Sequence, residues 1–216
     1  MAVELYDEHE QSERVRKWIK EYAPAIVMGL VLAFGGIFGF RYWQDHQAGQ
    51  RVLASEYYEV IRQEVQAGQL AGAEEQYQIM RDSVSRNSYV GLAGMHLASA
   101  YVADGQLSPA ARIYREILDN RRLQSLWPVA TLRLVRVLEA RGDIEEALAL
   151  VEGTPPHGFT AAWAEARGDL LFERGRVEEA RLAWQEALDN QPAQGGNPRL
   201  LEMKIDATGL AAEEAS

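Results

Sequence analysis

The chain has 216 residues, of which 47% are hydrophobic and 25% charged, with a formal net charge of -10 and no cysteine. This is too apolar for general disorder, and it excludes disulfides, thiolate metal sites and cysteine nucleophiles. The acidic balance argues against nucleic acid as a partner and against docking on anionic lipid head groups.

Residues 1–22 form a charged N-terminal segment, followed by residues 23–40, APAIVMGLVLAFGGIFGF, without a single charge. At 1.5 Å per residue such a helix spans about 27 Å, close to the thickness of a bilayer's hydrocarbon core. Trp18 and Tyr22 flank one end, Tyr42 and Trp43 the other, as aromatics do at membrane interfaces. The sequence Ile37-Phe38-Gly39-Phe40-Arg41 is a poor cleavage site, so an uncleaved anchor is expected. Arg14, Arg16, Lys17 and Lys20 precede the span, whereas only Arg41 and Arg51 follow closely. The positive-inside rule therefore places residues 1–22 in the cytoplasm and residues 41–210 on the far side. Ala25, Gly29, Ala33 and Gly36 share one face of the span, where a second membrane helix could approach closely.

The span is expected to continue into one long helix, from about residue 12 to 66, bent near Gly49. Beyond it, good helix formers dominate and β-branched residues are sparse, which predicts an all-α domain. Four hexamers then repeat a Gly-polar-aliphatic-x-x-Ala pattern: Gly68-Gln-Leu-Ala-Gly-Ala73, Gly105-Gln-Leu-Ser-Pro-Ala110, Gly142-Asp-Ile-Glu-Glu-Ala147 and Gly175-Arg-Val-Glu-Glu-Ala180. The glycines lie 37, 37 and 33 residues apart, a period that marks stacked helical hairpins. Each glycine is expected to end a first helix in a left-handed conformation, and each alanine to let the second helix pack close. Four residues after each alanine stands Tyr77, Tyr114, Val151 or Trp184, to fill the space between hairpins. Tyr101, Leu138 and Leu171 precede the last three glycines by four residues; the first repeat departs, with Glu64.

The last repeat is the most regular: Gly168, Leu171, Ala180, Trp184, Ala187 and Pro192 stand at tetratricopeptide spacings. The loop Gly153-Thr-Pro-Pro-His-Gly158 should shorten the second helix of the third repeat. A loop over residues 191–198 precedes a short apolar helix, residues 199–210, expected to cap the stack, and a disordered tail, residues 211–216.

Together these features resemble the YfgM family, ancillary subunits of the bacterial SecYEG translocon. The resemblance rests on the Gly-rich span ending Arg41-Tyr42-Trp43 with His46-Gln47, on Arg167-Gly168-Asp169 through Ala183-Trp184, and on Met203-Lys204-Ile205. It implies an inner-membrane protein with a periplasmic tetratricopeptide-like domain. The implied partners are SecYEG, a PpiD-type periplasmic chaperone and unfolded secretory clients. A general periplasmic adaptor in envelope assembly or stress signalling would use the same features, apart from the junction residues.

Nothing in the sequence points to catalysis. His9, His46, His96 and His157 do not form a metal-ligand spacing, and no phosphate loop, nucleophile elbow or dinucleotide fingerprint is present. Glu145-Glu146 and Glu178-Glu179 open helices, where carboxylates favour the N-terminal dipole. No cofactor or metal is expected. In a stack of this kind partners bind on the concave face lined by the first helices. By repeat register that face includes Met95, Ser99, Arg133, Arg136, Glu139, Glu165, Asp169 and Phe172.

Overall fold

The computed structural model describes residues 4–85, 87–192 and 196–214. Residues 1–3 of the N-terminal segment, residues 193–195 of the last loop and residues 215–216 of the expected tail lie outside the described residues. The chain divides into two compact units, one ending at Val52 and the other beginning at Leu53.

Helix α1 (Glu4–Gln66) supplies the first unit and opens the second. It stays helical through Pro24 and Gly49. Its apolar stretch is long enough to cross a membrane, and none of that stretch is buried. Met28, Val31, Leu32 and Phe38 are each more than 60% exposed. An apolar helix bare on all sides is stable in lipid, where every backbone group bonds within the helix, and not in water. Trp18 stacks near Tyr22, and Phe40 near Trp43, with ring centroids 5.5 and 6.0 Å apart. From Trp18 to Trp43 the helix rises about 37 Å, enough to place both pairs at the interfaces.

The second unit is built of helices, with no strand among the described residues. After α1 come α2 (Leu70–Val84), α3 (Ser88–Ala103), α4 (Leu107–Asp119), a short 3₁₀ helix (Arg121–Leu126), α5 (Trp127–Arg141), α6 (Ile144–Val151), α7 (Thr160–Glu173), α8 (Val177–Asp189) and α9 (Pro198–Glu214). Helix α9 thus runs four residues past the expected end at Leu210.

The four hairpin turns are built alike, because the same local sequence dictates the same hydrogen bonds. Gly68, Gly105, Gly142 and Gly175 have φ between 73° and 81°. At the first turn Gln69 N–H donates to Glu64 C=O at 2.9 Å and Gly68 N–H to Val65 C=O at 3.0 Å. The bonds Gln106 to Tyr101, Asp143 to Leu138 and Arg176 to Leu171 repeat the pattern at 2.8–2.9 Å. This closure satisfies the last carbonyls of each first helix and needs a left-handed residue, which glycine supplies at least cost.

The repeat alanines Ala73, Ala110, Ala147 and Ala180 are all fully buried, and Tyr77, Tyr114, Val151 and Trp184 are at most 3% exposed. Glu64, the exception in the first repeat, lies over Gly72, where a Cβ would come within 2.9 Å of its carboxylate. The loop after Val151 leaves α6 only 8 residues long. The helix-opening carboxylates are engaged in ion pairs: Glu146 with Arg115 at 2.6 Å, Glu178 with Arg181 at 3.0 Å, Glu179 with Arg176 at 2.6 Å, and Glu145 with Arg174. His96 is half-buried beside the Tyr58 ring.

Candidate interaction surface

The first helices α3, α5 and α7 carry the residues expected to meet a partner, and the structure sorts them into two groups and one exception. Met95 is the exception. At 7% exposure it belongs to the core, with Val90, Ala93, Leu97, Ala98 and Tyr101 of the same helix. Because α3 is packed on nearly all sides, an inference from register alone has no open face to find there.

The first group joins α3 to α5. Arg133 Nη1 donates to Ser99 Oγ at 3.0 Å, and that oxygen lies 3.4 Å from the Tyr114 hydroxyl. Arg136, one turn further on, is exposed.

The second group is acidic and centres on α7. Glu165 and Asp169 stand one helical turn apart and are both half-buried. Lys204 of α9 lies between them: its Nζ is 3.0 Å from Glu165 Oε1, and 2.7 and 2.9 Å from the two oxygens of Asp169. Trp184 of α8 donates its indole N–H to Asp169 Oδ1 at 2.8 Å, and the same ammonium lies 5.8 Å above the Trp184 ring. Phe172, 40% exposed, packs 5.4 Å from that ring. Burial would lower the Lys204 pKa, but the hydrogen bonds to Asp169 and Glu165, with their charges, hold it above the ordinary lysine value.

Glu139 of α5 completes the cluster. Burial pushes its pKa up, and the negative charges of Glu173 and Asp169 push it further against Arg136 and Lys204. The arrangement can bind and orient charged groups; it offers no nucleophile with a base beside it, and no group of metal ligands occurs among the described residues.

Sequence reasoning missed Lys204 as a member of this cluster. The signal was present: Lys204 is the single lysine after residue 20, flanked directly by the apolar Met203 and Ile205. It also missed a cleft of about 340 Å³ between α6, α7 and α8, lined by Leu148, Leu171 and Leu182 and crossed by the Arg167–Glu186 ion pair at 2.5 Å. On α1, Ala25, Gly29, Ala33 and Gly36 are exposed, and a Cβ at Gly29 or Gly36 would meet nothing within 4 Å.

Comparison with known proteins extends the pattern. The chain is 28% identical over 207 residues to the protein named Ancillary SecYEG translocon subunit of Escherichia coli (strain K12), an alignment covering 94% of this chain and 98% of that protein. A protein of the same name from Haemophilus influenzae is 26% identical over 181 residues, covering 84% of this chain and 88% of its own. Among solved structures, crystallised kinesin light chain nearly identical TPR-like repeats from Podosopora anserina superpose with a TM-score of 0.56 at 18% identity, over 76% of this chain and 88% of that one. That likeness concerns the fold alone. The model of the tetratricopeptide repeat-like domain family matches residues 16–210, so it takes in the apolar helix as well as all four hairpin turns, and the chain belongs to that family.

Proposed function

We propose that this chain is a single-pass inner-membrane protein that associates with the SecYEG translocon and works by binding other proteins. One observation carries the reading: the similarity to the Escherichia coli translocon subunit is continuous over 94% of this chain, so it includes both the apolar helix and the repeat domain. A merely shared repeat fold would leave the helix unmatched.

The positive-inside count supports a cytoplasmic segment at 1–22, a span at 23–40 and a periplasmic repeat domain at 41–210. In this reading the face of Ala25, Gly29, Ala33 and Gly36 meets a translocon helix. The first-helix residues Ser99, Arg133, Arg136, Glu139, Glu165, Asp169 and Phe172 meet a PpiD-type chaperone or emerging secretory clients. The domain supplies a surface for protein contact.

The test is an affinity pull-down from detergent-solubilised membranes with the intact chain and with a version lacking residues 1–43. Recovery of SecYEG and a periplasmic chaperone by the intact chain is the expected result, with SecYEG lost on truncation. Recovery of a different envelope complex in their place would sink the translocon reading and leave a general periplasmic adaptor. Protease added to intact spheroplasts should digest the repeat domain; full protection would reverse the orientation.

A further inference from the structure

Among the cations after residue 20, Lys204 alone is not an arginine. It is also the one that α9 delivers to the face of the first helices. Its ammonium sits in a built receptor: the carboxylates of Glu165 and Asp169, the face of Trp184, and an indole held in place by its own bond to Asp169. Beside it the Phe172 ring stands 40% exposed. Glu139 and Glu173 bring further negative charge to this region, opposed at Glu139 by Arg136 and Lys204.

The helix that brings Lys204 is lightly held. Among residues 198–209 only Leu201 and Thr208 are buried, while Leu200 and Met203 are 41% and 61% exposed. As the last element of the stack, α9 gains stability from its neighbours on one side only. A lysine ammonium makes point contacts from a flexible stem, whereas an arginine would lock as a planar fork, so this cation is the more readily exchanged.

We propose that α9 is an autoinhibitory strap: Lys204 occupies, in cis, the carboxylate pair on α7 that receives a lysine or arginine from an apolar-flanked basic segment of a protein partner, and partner binding lifts α9 away. The inference rests on the reading of this domain as a protein-interaction module and does not depend on the translocon as partner.

The test uses the full chain in detergent micelles and a fluorescent, N-acetylated peptide of alternating arginine and leucine, with a glutamate–leucine peptide as control. Lys204→Met should bind the basic peptide roughly three- to tenfold tighter, because the carboxylate pair is no longer occupied in cis. Lys204→Gln should do the same if methionine disturbs α9. Glu165→Gln with Asp169→Asn should bind at least about tenfold more weakly, while the asparagine still accepts the Trp184 indole bond. Amine-reactive labelling read by mass spectrometry gives an independent readout, since the peptide carries no amine. Lys204 should label faster when peptide is bound.

Unchanged labelling at saturating peptide, or no tightening in either Lys204 variant, overturns the strap. Equal binding by the double carboxylate variant overturns the carboxylate pair as the site, as does equal binding of the glutamate–leucine peptide. If these results hold while the pull-down fails to recover SecYEG, the translocon reading alone falls; if the pull-down succeeds and these fail, the strap alone falls.

Discussion

Replacing Gly168 by alanine isolates a close contact between α7 and α8. A Cβ at residue 168 would lie 2.5 Å from both Cδ1 and Nε1 of Trp184 and 3.0 Å from Cγ. The ring cannot step aside: it is 3% exposed and tied to Asp169 through its N–H. Overpacking of this kind costs about 1–3 kcal/mol. Alanine returns up to about 1 kcal/mol through helix propensity. The expected net loss is about 1 kcal/mol, which lowers the melting temperature by about 2–4 °C for a domain of this size. Thermal unfolding of the full chain in detergent, followed by circular dichroism, measures it. Gly209→Ala, in a helix with nothing within 4 Å, should not lower the midpoint. In a Trp184→Leu background the clash is gone, so Gly168→Ala should become neutral or stabilising. The same loss in both backgrounds, or a gain at Gly168 in the wild type, would refute the close-packing argument.

Gly142→Ala tests the hairpin turn, since φ is 81° there and a Cβ meets nothing within 4 Å; backbone strain alone should cost about 1–2 kcal/mol, read from denaturant midpoints. Leu201→Ala empties the anchor of α9, which is 1% exposed; the loss of about 2–5 kcal/mol should appear as faster amide exchange in α9, with α3 and α4 still protected. Glu139 binds its proton more tightly in the folded chain than in the unfolded one, chiefly because it is buried. Its contribution to stability is therefore present below the ordinary glutamate range and lost as pH rises through the raised folded value. Glu139→Gln should accordingly stabilise the domain at neutral pH and make no difference once the pH falls below that range. A gain that grows on acidification would reverse the sign.

The sequence by itself determined the architecture, because its signals are local. A charge-free stretch of bilayer length, a glycine that closes a first helix and an alanine that lets the next pack against it each act within one helix or hairpin, and each repeats. The buried set Ala73, Ala110, Ala147 and Ala180, and the left-handed glycines at the four turns, follow from such short-range constraints. The short α6 followed likewise from the Pro-Pro loop after Val151. The site was legible only in part. Periodicity puts Glu165, Asp169 and Phe172 on one side of α7, where the structure groups them around Lys204 and Trp184, but Met95 lies in the core, because a helix buried nearly all round carries no amphipathic stripe to read. Only the tertiary structure decided that Lys204 enters the carboxylates of α7 and that Trp184 fixes one of them. Those contacts join residues 15 to 39 apart across three helices. The angle at which α9 docks sets them, and no repeat period encodes that angle.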